Sequence, residues 1–171
     1  MTGVTYGNIV VLTDFLFILL DWRLGEKIGV GTLLNAICIG KFVDLFQYLG
    51  LVPWPQNQLM GFVLLLLGQL MIALGTLCYM RAEMGCGPRD SLMVALGRQF
   101  PVLPIGAIRW GIEGTALLIG WLLGAKVGLG TVVAVISIGP ILQMVFYLFG
   151  FDATKVEHEG ALDIVRHWQK K

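Results

Sequence analysis

Five apolar stretches dominate the chain, at residues 6–23, 28–50, 57–80, 104–124 and 127–150. Each approaches the roughly 20 residues that an α-helix needs to cross a hydrocarbon core. Inside lipid no water is at hand to bond a free N–H or C=O, so a crossing segment must satisfy its own backbone, and a helix does so within a single stretch. The expectation is an all-α polytopic membrane protein with five transmembrane helices, residues 1–153 forming one helical membrane domain. Composition agrees, with 57% of the 171 residues hydrophobic and 13% charged, against roughly 25% charged in an ordinary soluble domain. A net charge of +1, without basic runs interleaved with aromatics, gives no sign of a nucleic-acid partner. The lipid bilayer is the first partner expected.

Two segments depart from this pattern. "PRDSLMVALGRQF", 88–100, is too short and too charged to cross alone. With Pro88 at a first helical position it reads as a short interfacial or re-entrant helix. The tail, 154–171, turns polar, yet Ala161, Leu162, Val165 and Trp168 recur at helical spacing among Arg166, His167, Lys170 and Lys171. That pattern fits either an amphipathic helix on a cytoplasmic membrane surface or an ordinary solvated tail. The opening "MTGVTYGN" has no basic n-region and no cleavage site, so the first apolar run is expected to be retained as a span.

Basic residues set the orientation. Arg23 and Lys27 share one loop, Arg81, Arg89 and Arg98 surround the short segment, and the tail is basic, whereas "LVPWPQNQ" carries no charge. The N-terminus is therefore expected outside and the C-terminus in the cytoplasm, with Lys126 the lone dissenter.

The chain also writes one phrase twice: "GEKIGVGTLLNAICIG" at 25–40 and "GAKVGLGTVVAVISIG" at 124–139. Extended backwards, the match aligns Gly7 with Gly106, Asp14 with Glu113 and Trp22 with Trp121. A self-match at one offset marks a duplicated unit, here copies 6–50 and 104–150 around an intervening unit, 57–100. The orientation above makes the first copy run out-in-out and the second in-out-in, which is an inverted-topology repeat. The intervening unit has no mate in the chain, so its partner is expected to precede Met1.

These phrases, with "GQLMIALGTLCYMRAEMGCGPRDSLMVALGRQF" and "LLIGWLLGAKVGLGTVVAVISIGPILQMV", resemble the YczE/YyaS/YitT group of bacterial integral membrane proteins, nearest to its YczE-like branch, over about residues 2–150. In that family a front helix ends in a Gly-x-Gly-Pro-Trp-Asp phrase. This chain has the second version, Gly85, Gly87, Pro88, Arg89 and Asp90, and is similar to a member lacking its first span. The resemblance implies a bacterial cell-membrane location and a transport role supposed from architecture. It brings no catalytic residues.

Charged groups inside spans cost roughly 2.5–3.5 kcal/mol each on insertion scales, so Asp14, Lys41, Asp44, Arg109 and Glu113 need partners or a purpose. Arg109 with Glu113, and Lys41 with Asp44, are spaced to pair on one helix face. Asp14 has no base three or four residues away. Together with its repeat mate Glu113 it is a candidate proton or cation site. Gly29, Gly31 and Thr32, matched by Gly128, Gly130 and Thr131, should open helices, the glycines packing closely and the threonines capping or bonding across helices. The Gly85–Asp90 phrase should break a helix, with Asp90 capping the short helix and Arg89 facing headgroups. Cys38 and Cys78 read as small packing residues.

No Ser-His-Asp set, metal-ligand cluster or phosphate loop occurs, so neither enzyme, metal nor cofactor is expected. Two functions remain: a secondary transporter of a small molecule or ion, or a non-transporting accessory or scaffold protein. The helix faces bared by the absent span are expected to seek a second copy, as a homodimer, or another membrane partner.

Overall fold

The structure is a computed structural model that describes residues 6–26, 29–51, 55–82 and 86–155. Helices α1 (Tyr6–Arg23), α2 (Val30–Tyr48), α3 (Gln58–Arg81), α5 (Ile105–Leu122) and α6 (Leu129–Leu148) occupy the five apolar stretches. Helix α4 (Pro88–Gln99) occupies the short segment, and one 3-10 turn, Ala153–Lys155, follows α6. No strand occurs among the described residues. Helices α3 and α6 are long and apolar enough to cross a membrane. The helix expected in the tail falls, beyond Lys155, outside the described residues, as does Gly85.

The chain divides into two compact units. One is built from the described residues of Met1–Trp54 and Tyr79–Ala95, the other from those of Pro55–Cys78 and Leu96–Lys155. Each contains a helical hairpin, α1 with α2 in the first unit and α5 with α6 in the second.

Both hairpins end their helices the same way. The Gly25 amide donates to Trp22 O and the Glu26 amide to Asp21 O, while the Gly124 amide donates to Trp121 O and the Ala125 amide to Gly120 O. This pair of bonds uses up carbonyls that a helix end leaves free, and it requires a left-handed residue. Gly25 and Gly124 supply it, with φ of 81° and 90°. Here the first glycine of each repeated phrase is a helix stop.

The last glycine of each phrase is where the helices touch. A Cβ on Gly7 would collide with Gly40 O, and one on Gly106 would lie 2.6 Å from Gly139 O. At that crossing the Gly7 amide donates to Asp44 Oδ1 at 2.8 Å, and the Gly106 amide to Gln143 Oε1 at 2.9 Å. Each donor is in the first turn of its helix, where no intrahelical acceptor exists, and lipid would leave it unbonded at a cost of several kcal/mol. An acidic and an amide side chain do the same work in the two copies.

The second unit adds two polar devices. Pro140 interrupts α6 and cannot donate to Ile136 O, four residues back. The Trp110 indole donates to that carbonyl at 2.6 Å, and it reaches there because residue 139 has no side chain: a Cβ on Gly139 would sit 2.7 Å from the indole. From α3, the buried Gln69 donates to Ala134 O at 2.8 Å and accepts from the Ser137 hydroxyl at 3.1 Å. Beyond α6, the Thr154 hydroxyl at 2.6 Å and the Lys155 ammonium at 3.2 Å hold the Asp152 carboxyl below the usual aspartate range.

Large apolar side chains are exposed along α1, among them Leu12, Phe15, Leu16 and Trp22, which suits lipid as the surrounding solvent. Cys38 and Cys78 are exposed too, contrary to the packing role expected of them, and Cys86 is the buried one. The glycines expected to pack at the start of α6 also differ: a Cβ on Gly128 would meet nothing within 4 Å, and one on Gly130 only a methyl of Leu65 at 4.0 Å. Close approach in the second unit belongs instead to Gly139.

Gly40→Val and Gly139→Val should therefore each lower the melting temperature in detergent, by about 1–3 kcal/mol of overpacking strain. Gly128→Val should be near neutral. Equal effects at all three positions would show that the crossing does not limit stability.

A buried polar stripe as the candidate functional site

In α1 the buried positions are Gly7, Asp14, Ile18 and Asp21, with Val11 half-buried. Steps of three and four residues place them in one stripe along the helix. Two of the five are acids, although the other faces of α1 are apolar. On α2 the buried residues are Gly29, Thr32, Ala36 and Gly40, small side chains at the same kind of spacing. The run Cys86–Pro88 and the first part of α4, Asp90–Ala95, are almost wholly buried, so α4 is packed inside protein instead of lying on a surface.

Asp14 is 5% exposed. Arg89 Nε lies 3.6 Å from its Oδ1, and the same guanidinium sits 5.4 Å from the centre of the Phe17 ring. The headgroup role expected for Arg89 is thus replaced by an inward one, since a desolvated carboxylate and an aromatic face hold a guanidinium more strongly than water does. Pro88 opens α4, and the Gly87 carbonyl accepts the first helical bonds, from the Asp90 amide at 2.9 Å and the Ser91 amide at 2.8 Å. Asp90, in the first turn, lies where the helix dipole favours a carboxylate, and it is close enough to act electrostatically on both Asp14 and Asp21.

Gly87 forms the floor of a polar cradle. A Cβ there would lie 2.7 Å from Asn35 Nδ2, 3.4 Å from Asp90 Oδ2 and 3.5 Å from the Tyr79 hydroxyl. That hydroxyl, both oxygens of Asp21 and the Thr32 hydroxyl are buried without a hydrogen-bond partner. Asp21, Asn35 and Tyr79 were not among the residues expected from sequence. Asp21 had one legible signal, its position two helical turns after Asp14 on the same stripe.

The other expected residues fall as follows. Arg109 Nη2 pairs with Glu113 Oε1 at 3.2 Å in the second unit, both side chains largely buried. Asp44 is engaged across the hairpin by the Gly7 amide, and Lys41 is exposed. Gly29 and Gly128 hold the N-cap positions of α2 and α6 with no side-chain cap. Thr32 therefore does not cap, and Thr131 is exposed. Among the described residues no three histidine, cysteine or acidic side chains are grouped to hold a metal ion.

The comparisons with known proteins agree with a membrane protein of this kind. A family model described as "Family of unknown function (DUF6198)" matches residues 1–146. The chain belongs to this family. It is 39% identical over 127 residues to an uncharacterized protein of Haemophilus influenzae, covering 74% of this chain and 57% of that one. It is 33% identical over 114 residues to the "Uncharacterized membrane protein YczE" of Bacillus subtilis, covering 67% of this chain and 52% of that one. The matched regions span just over half the length of these relatives. No solved structure matches the chain.

The ion pair can be tested by a double-mutant cycle. Asp14→Asn and Arg89→Gln should each destabilise by about 1–3 kcal/mol, less than the 3–5 kcal/mol of a fully buried pair because Arg89 is 35% exposed. The double variant should lose less than the sum. Strict additivity in thermal melts would show that the two side chains do not interact.

Proposed function

We propose that this family member is a multi-pass protein of the bacterial cell membrane with five spans, its two hairpins in inverted orientation, that carries a small molecule or ion across the bilayer. The observation that best supports this reading is the pair of acids at matching repeat positions. Asp14 and Glu113 are both largely screened from solvent and each is answered by an arginine, Arg89 and Arg109. Charge is expensive in hydrocarbon, and inverted-repeat carriers keep it near the midplane where coupling ions bind. Arginine-matched carboxylates can release a partner and take up a proton as access alternates.

A second reading, a scaffold whose helices only bind a second copy or another membrane protein, draws on the same pairs, since matched charges also suffice for packing. Flux decides between the two readings. The chain reconstituted in proteoliposomes with a trapped pH dye and a mixed metabolite supply should show pH-linked uptake. Asp14→Asn and Glu113→Gln should each abolish the linkage while the protein stays folded. Uptake at wild-type level in both variants would end the coupling role of these acids, and no uptake of any solute by the wild type would favour the scaffold.

A further inference from the structure

Asp21 is not explained by the repeat. Its counterpart in the second copy is Gly120, whose carbonyl makes the same helix-ending bond as that of Asp21, so the carboxyl group is not needed for the turn. It is 1% exposed, and neither oxygen has a hydrogen-bond partner. Among the described residues, the charged groups that act on it, Glu26 and Asp90, are both acids. The guanidinium of the neighbourhood, Arg89, lies against Asp14.

Thr32 is a second anomaly on the facing helix. Hydroxyls in these helices bond back to a carbonyl four residues earlier, as Thr13 does to Ile9, Thr115 to Gly111 and Ser137 to Val133. The Thr32 hydroxyl, 1% exposed in the first turn of α2, bonds to nothing. Two hard oxygen ligands, one acidic and one neutral, are thus kept dry on the facing stripes of one hairpin. Groups of this kind cost several kcal/mol when left alone, and each normally has an occupant or a partner.

We infer that the first unit binds an alkali-metal cation at the Asp21 carboxylate, with the Thr32 hydroxyl as a neutral ligand. A divalent ion is disfavoured because, among the described residues, no group of three acidic, histidine or cysteine side chains surrounds the position, and such ions need several charged oxygens. A proton would neutralise Asp21 yet leave its second oxygen and the Thr32 hydroxyl unmatched. A sodium- or potassium-sized ion uses all three oxygens as ligands and offsets the neighbouring charge of Asp90 and Glu26. The binding site stands independently of transport.

The test uses the full chain in detergent at pH 8, melted in sodium, potassium or choline chloride at constant ionic strength. One of the alkali ions should raise the melting temperature saturably over choline. Asp21→Asn and Thr32→Val should weaken the apparent affinity by at least about tenfold, while Thr32→Ser keeps it. Should Asp21→Asn fail to fold, the contrast between Thr32→Val and Thr32→Ser carries the test. Equal melting in all three salts, or an ion response untouched by both Thr32→Val and Asp21→Asn, would overturn the proposal. So would stabilisation in choline on acidification alone, which would assign the site to a proton. Because the readout is binding, its failure is distinct from a failure of flux.

Discussion

Each hairpin depends on one crossing, where two glycines bring the backbones of neighbouring helices together and a side chain from one helix bonds the free amide at the start of the other. Without the glycines the helices could not approach closely enough, and without Asp44 or Gln143 the buried amides of Gly7 and Gly106 would lose their acceptors. With both hairpins in the bilayer, as proposed, the physical demand comes from lipid, which neither hydrates a helix end nor drives helices together by the hydrophobic effect. Close packing and complete backbone bonding take over that role. The repeat preserves this arrangement to the residue while most of the surrounding apolar side chains differ.

On that shared frame the two copies carry different polar groups. The second unit resolves its polar atoms locally: Arg109 pairs with Glu113 one turn away, Trp110 takes the carbonyl that Pro140 leaves free, and Gln69 bridges α3 to α6. The first unit instead sets Arg89 against Asp14, places Asp90 within electrostatic reach of both Asp14 and Asp21, and leaves the Asp21 carboxyl and the Thr32 and Tyr79 hydroxyls without hydrogen-bond partners. Polar groups left unmatched in a buried position detract from stability. Most of them among the described residues fall in the first unit.

Much of the helix plan was legible because span length and glycine punctuation are local properties. Pro88 marked the start of α4, and the repeated phrase marked the hairpins. The roles inside the phrase were harder to read. Gly128 looked like a packing glycine, yet in the second unit contact falls at Gly139, since a hairpin's crossing point depends on where the helices converge, which no spacing rule states. Arg89 was read as facing lipid headgroups because its partner, Asp14, is far away in sequence. Asp21 drew no expectation of its own, and its burial became evident only once the stripe of α1 was seen against α2 and α4.

The inverted relation proposed for the two hairpins is the claim on which the functional account turns, and side-specific labelling tests it most directly. Single cysteines would be introduced at Leu24 and Ala125, in the corresponding turns, in a chain with Cys38, Cys78 and Cys86 replaced, and probed in intact cells with a membrane-impermeant thiol reagent. The account predicts that the label reaches position 125 from outside and reaches position 24 only after the cells are opened. Labelling of both turns from the same side would contradict it.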